Sequence, residues 1–316
     1  FEQGAWESSA SVFESFMNAW PDSERYAEAG YLRSYALYQS RNYQNSLAQV
    51  ESLLASTRGA ERTVKLLRLK SLLLQRQGEY AKTLNVLEEY IPRAPEDKKA
   101  MLDSITMRFQ LGMYDRVLEE AARLSASLDP ESSEYILSEY LRGLSLVAER
   151  QYNDGGKILA SLDLDTLTEA GSPMLHPYAR YYYAWCFYRT GDYRQAAAVF
   201  DQFLLNYPNH ELSSQAAYLA GWSEFALGNF SRSENRFARY LQTNPDDEKG
   251  RFMYAKSLVN QKKYNQAALV FNALASSGNT RGYGDDSQYE YSKMLRSMDQ
   301  TQAAAEAYLS LYERFP

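Results

Sequence analysis

Few residues in this chain have the type and spacing to do acid–base, nucleophilic or metal chemistry. There are two histidines, His176 beside Pro177 and His210 after Tyr207-Pro208-Asn209, and neither has a nearby serine or cysteine partner in sequence. The single cysteine, Cys186, can form neither an internal disulfide nor a cysteine-based zinc site, and it falls at a helical position expected to be buried, where a thiol packs and stays inert. The acidic runs Asp246-Asp247-Glu248 and Asp285-Asp286 each precede an expected helix, where carboxylates suit the positive helix end better than they suit a metal. The glycine-rich stretch Gly278 to Gly284 lacks a Gly-Lys-Ser/Thr ending and follows a helix rather than a strand, so it is a linker and not a phosphate-binding loop. The sequence therefore predicts no catalytic residues, no metal site and no cofactor.

Composition narrows the classes further. Hydrophobic residues are 45% of the 316, enough to bury a core. Lys plus Arg total 34 against 40 Asp plus Glu, a formal charge of -6, which provides no global field for nucleic acid. No apolar run reaches the roughly 18 residues of a membrane helix, so no membrane-spanning segment is expected. Tyrosine is the excess: 27, against 13 Phe and 4 Trp.

What positions those aromatics is a repeat. Taking the residue that opens each second helix as a phase marker gives Trp6, Tyr43, Tyr80, Tyr114, Tyr152, Tyr193, Phe230, Tyr264 and Thr301, with steps of 37, 37, 34, 38, 41, 37, 34 and 37 residues. Four markers follow a turn glycine: Gly78, Gly112, Gly191 and Gly228. Three residues past each marker comes a small or modest residue. Four further on comes a large apolar one such as Val50, Leu87, Phe200, Phe237 or Phe271, which places both on one helical face. Pro21, Pro95, Pro208, Pro245 and Pro316 lie 15 residues past their markers and act as helix stops. Each unit is helix A, a tight turn, helix B and a proline-marked loop.

This pattern resembles the tetratricopeptide repeat (TPR), most closely in Tyr181 to Pro208 and less so at Tyr152, where Gly155 and Gly156 enter helix B. The resemblance implies an all-α fold, a right-handed superhelical TPR solenoid of about eight and a half repeats. It is divided into a sub-array over 1–162, an insertion over 163–176 and a second sub-array over 177–316. Beginning on a lone helix B and stopping on Pro316, the sequence suggests an excerpt of a longer protein. The 41-residue step and the glycine-rich link at 276–286 are expected loop insertions, with hinges as the alternative.

In the family, helix A lines the concave groove at the second, fifth, ninth, twelfth and thirteenth positions of each repeat. Carried onto this sequence, those positions give Tyr31, Tyr35 and Tyr38; Tyr178, Tyr181, Trp185 and Tyr188; Tyr218, Trp222 and Phe225; and Phe252. The third repeat puts Lys65, Arg68, Gln75 and Arg76 on that face, with Arg68 and Arg76 as expected ligand contacts. The Lys/Asn pairing of chaperone-tail adaptors is absent. Helix endings such as Phe200-x-x-Phe203-Leu-x-x-Tyr207-Pro208 are similar to those of bacterial envelope TPR proteins of the BamD type and of the YbgF type that partners Tol-Pal. The resulting expectation is a non-catalytic scaffold in a periplasmic or envelope setting, with the cytoplasm as alternative, that binds a peptide segment or partner helix. A glycan- or peptidoglycan-binding module and a structural part of a secretion or flagellar machine are the competing functions.

Overall fold

The computed structural model describes residues 5–56, 59–162, 175–276 and 283–314. Among these there are 17 α-helices and no strand. In chain order they are α1 (Trp6–Ala19), α2 (Tyr26–Gln39), α3 (Tyr43–Ser56), α4 (Ala60–Arg76), α5 (Tyr80–Tyr90), α6 (Lys98–Gln110), α7 (Tyr114–Ser125), α8 (Ser133–Ala148), α9 (Tyr152–Ser161), α10 (Leu175–Thr190), α11 (Tyr193–Asn206), α12 (Ser213–Ala226), α13 (Phe230–Thr243), α14 (Glu248–Asn260), α15 (Tyr264–Ser276), α16 (Gly284–Ser297) and α17 (Thr301–Arg314). A 3-10 turn, Ile91–Arg93, follows α5.

Every sequence marker opens a helix B. Two residues before each marker from Tyr43 onward, the backbone takes the left-handed conformation: Gly78, Gly112, Gly191 and Gly228 do so, and so do Arg41, Arg150, Lys262 and Asp299. The following residue closes helix A, as when the Asn42 N–H donates to the Leu37 carbonyl at 2.8 Å and that of Asp192 to Phe187 at 2.9 Å. Without a glycine, the turn forms at a conformational cost that the packed helix pair offsets.

The return from helix B to the next helix A also recurs. Tyr90 at the end of α5 donates to the Asp97 carboxylate at 2.8 Å, and Asp97 caps α6 by accepting from the Ala100 N–H. In the same register, Tyr240 donates to Asp247 at 3.1 Å and Asp247 caps α14 through the Gly250 N–H at 2.7 Å. The Asp246–Glu248 run is thus a helix start, as expected. A Cβ on Gly250 would lie 2.6 Å from the Tyr240 ring, so here the ring would have to shift, whereas the first copy of the device accommodates Ala100.

Two compact units form, one carrying α1–α8 and the other α9–α17, divided between Glu149 and Arg150. The expected insertion over 163–176 lies outside the described residues except for Leu175 and His176. In the first unit the core runs through Ala10, Val50, Leu53, Leu66, Leu73, Leu87 and Met107. In the second it runs through Phe200, Phe203, Phe237 and Phe271, which are among the most deeply buried side chains. One of the two glycines that weakened the repeat pattern in α9, Gly156, has a packing role. A Cβ on Gly156 would sit 3.2 Å from the Cys186 Cβ, so its lack of a side chain lets α10 approach α9 closely. Cys186 itself is buried, and burial pushes its thiol up to about 12, consistent with an inert packing residue.

Candidate functional site: the aromatic faces of the A helices

In the first unit, Tyr31, Tyr35 and Tyr38 form a stripe on α2, each half-buried. Their rings lie over the Val50, Leu53, Leu66, Leu69 and Leu73 cluster, with ring centroids 6.4 Å apart between Tyr35 and Tyr38 and 5.8 Å between Tyr38 and Tyr43. The polar tips are already engaged. Tyr35 accepts from the Gln39 amide at 2.7 Å, and Tyr38 hydrogen-bonds Arg76, which holds that guanidinium above its ordinary range. Burial, with Tyr35 next, raises the Tyr31 phenol, while Lys65 opposes this. Arg68 contacts two carboxylates, Asp103 at 2.7 Å and Asp97 at 3.3 Å, and lies 5.9 Å from the centre of the Tyr90 ring. The basic step expected from the sequence is therefore a structural ion pair at Arg68, because the next repeat supplies its counterions 29 and 35 residues downstream. Burial raises Asp103 against the opposing pull of Arg68.

In the second unit, Tyr178 donates to the Glu211 carboxylate and meets His210 edge-on at 5.1 Å. His210 Nδ1 accepts from the Leu212 N–H at 3.2 Å and the ring also meets Phe203, so this histidine organises the loop before α12. Tyr181 departs from expectation. It is 3% exposed and wedged against Phe200 and Phe203, so its ring belongs to the core and not to the groove wall. The reason is that helix B of this repeat brings phenylalanines beneath that position, while α3 brings Val50 and Leu53 beneath Tyr31.

Above Tyr181 the wall begins. Trp185 stacks on it at 6.5 Å, Tyr188 follows at 5.7 Å, and Arg189 lies over Trp185 at 5.4 Å. On α12, Tyr218 meets Phe237 and Tyr240, each at 5.5 Å, and Lys249 sits 4.9 Å over its ring. The Tyr218 hydroxyl is buried, and burial pushes its phenol well above the ordinary range while its hydrogen bond with Trp222 opposes this. Trp222 and Phe225 continue the stripe at 6.2 Å, and Phe252 on α14 contacts Tyr283 at 4.9 Å. Trp185, Tyr188, Trp222, Phe225 and Phe252 are all half-buried, presenting an apolar body with one side to solvent.

Further along the same helices the chemistry changes, and this the groove-position reading did not single out. Lys256 on α14 and Lys293 on α16 converge on one carboxylate, Glu290, at 3.0 and 3.1 Å, and Lys293 also lies 5.2 Å over Tyr289. The signal was visible as lysine at the ninth position of two successive repeats, but the shared counterion required the fold. Among the described residues no group of three or more potential ligands could hold a metal, and no helix is long and apolar enough to cross a membrane.

Two stretches, residues 178–210 and 218–282, match family models of the tetratricopeptide repeat. No curated protein matches the sequence. Among solved structures, a tetratricopeptide repeat protein from Parabacteroides merdae is 15% identical over 85% of this chain and 98% of its own, with a TM-score of 0.52. YrrB, described as a TPR protein with an unusual peptide-binding site, is 15% identical over 65% of this chain and 98% of its own, at 0.51. The apo form of the quorum sensor NprR from B. thuringiensis is 12% identical over 98% and 96%, at 0.53. At these identities the likeness is one of fold.

Proposed function

From the premise that this chain is a tetratricopeptide-repeat protein, we propose that it is a non-catalytic protein-interaction scaffold. Its ligand is a peptide segment or partner helix held on the aromatic face of α10, α12 and α14. The observation that carries this is the run Trp185, Tyr188, Trp222, Phe225 and Phe252. These are large rings, half-exposed and supported from below by a separate core of Ala184, Phe200, Ala220 and Phe237. Rings of this kind present contact area at small entropic cost and are common binding anchors. The existence of a peptide-binding site on the same fold in YrrB supports the reading. The envelope setting is part of the proposal and rests on the helix endings at 200–208 and 237–245; fractionation of the source cells tests it.

Selection from a displayed random-peptide library, run in parallel on the wild-type protein and on a Trp185→Ala, Trp222→Ala variant, tests the function. Enrichment of aromatic-bearing peptides by the wild type alone, with both proteins melting alike, is the expected result. Equal enrichment by both would move the site off this face.

A further inference from the structure

The face of the second unit is chemically two-sided along its length. Its sixth and seventh repeats present, at the groove positions, Tyr178, Trp185, Tyr188, Gln215, Trp222 and Phe225 with one charge, Arg189. Its eighth and ninth present Lys249, Lys256, Lys293 and Arg296, against Asp286 and the neighbouring Glu290. Glu290 is one carboxylate serving two ammonium groups, at 3.0 and 3.1 Å, and its own side chain is only 10% exposed while those of Lys256 and Lys293 are 28% and 34%. Asp247 is occupied as the α14 cap and as acceptor from Tyr240, and Asp286 lies in the first turn of α16, where a carboxylate suits the helix start. The lysines therefore carry one positive charge more than their local counterion neutralises. They are exposed enough to meet a ligand, and Lys293 lies over the ring of Tyr289.

The halves are continuous. Lys249 of α14 lies over the Tyr218 ring of α12, and Lys256 of α14 reaches Glu290 of α16, so the aromatic and cationic sections adjoin without a gap. An excess cation pair with a buried carboxylate between them is complementary to added negative charge, and in a partly desolvated groove such complementarity fixes register more than it adds affinity.

We infer that the ligand is an amphipathic peptide segment with fixed polarity. Apolar and aromatic side chains lie on Trp185, Tyr188, Trp222 and Phe225, and an acidic end with two or more carboxylates lies on Lys256 and Lys293. This rests on the peptide-scaffold reading and adds to it the chemistry and direction of the segment.

Four synthetic twelve-residue probes with a fluorescein label separate the two. The first joins an aromatic-rich half to a Glu/Asp half. In the second and third the acidic half is replaced by Ser/Gly or by Lys, and the fourth carries the acidic half alone beside Ser/Gly. Fluorescence polarisation is measured at low and moderate salt on the full chain, on a Lys256→Gln, Lys293→Gln variant, and on Lys157→Gln as a control for a lysine on helix B. The aromatic–acidic probe is expected to bind about tenfold tighter than the aromatic–Ser/Gly probe at low salt, as two partly desolvated charge contacts allow, with the gap narrowing as salt screens it. The double variant is expected to erase that gap while staying folded at the assay temperature by circular dichroism, with a lower melting temperature from the uncompensated Glu290, and keeping its affinity for the aromatic–Ser/Gly probe. Lys157→Gln should change nothing. Equal binding of acidic, neutral and lysine-bearing aromatic probes would overturn the polarity and leave the scaffold reading standing. If no aromatic probe binds at all, both fall. Tightest binding by the acidic half alone would also overturn the proposed arrangement.

Discussion

The two units carry aromatic stripes that look alike in sequence and differ in what their tips do. On α2, Tyr35 and Tyr38 are tied to Gln39 and Arg76, and the nearby cation Arg68 is claimed by Asp97 and Asp103. On α10 and α12, Tyr178 is tied to Glu211 and the Tyr218 hydroxyl to Trp222, but among the described contacts Trp185, Tyr188 and Phe225 meet only rings and the Arg189 cation, and Lys249 lies over the Tyr218 ring. The first stripe is a surface whose polar needs are met within the chain. The second retains unspent aromatic area and charge. Spacing alone puts a residue on a face, and whether that face is available depends on what neighbouring repeats bring to it.

The largest test of that contrast compares the fifth position of two repeats. Tyr181→Ala is expected to cost about 3–5 kcal/mol, as for a large buried ring, whereas Tyr31→Ala should cost about 1 kcal/mol. Urea unfolding followed by helical circular dichroism measures both. Equal costs would erase the distinction between core and wall at this position.

The pH dependence sharpens what the units share. Tyr90 in the first and Tyr240 in the second are each pushed up to about 12, by burial first and then by Asp97 or Asp247. A phenol that holds its proton more tightly when folded contributes stability that is fully present below the unfolded value near 10. That stability is lost as pH rises through the folded value. Melting temperature should therefore fall between about pH 10 and 12, and a Tyr90→Phe, Tyr240→Phe variant should fall less steeply. An identical decline in the variant would assign the alkaline loss to other groups.

Turn substitutions give the smallest effects. Gly191→Ala forces an L-residue into a φ of +83° and should cost about 1 kcal/mol, while Arg41→Gly, at φ +64°, should stabilise by about 0.5 kcal/mol. Thermal melts read both. A cost from Arg41→Gly would show that the Arg41 side chain contributes more than its backbone strain subtracts.

These turns also show what could be read in advance. Four glycines marked left-handed turns in the sequence, but Arg41, Arg150, Lys262 and Asp299 adopt the same conformation with nothing in their type to announce it; only the shared phase does. Helix order, the proline stops and the Asp247 cap followed from periodicity and local chemistry. Depth did not, because the burial of Tyr181 is decided by Phe200 and Phe203 on another helix. Nor did charge availability, since Arg68 finds Asp103 35 residues away and Lys256 finds Glu290 34 residues away. The division between Glu149 and Arg150 likewise depends on which helices pack together, information that a repeat period does not contain.

In the proposed function the second unit's aromatic face, and not the first unit's, is the binding wall. Isothermal titration of a library-selected aromatic peptide into two matched variants tests it most directly: Trp185→Ala, Trp222→Ala in one unit, and Tyr31→Ala, Tyr35→Ala, Tyr38→Ala in the other. The first should lose about a hundredfold or more in affinity with its melting temperature kept, as two anchor residues imply, and the second should bind within about twofold of wild type. A folded tryptophan variant that binds normally, with affinity lost only in the tyrosine variant, would contradict it.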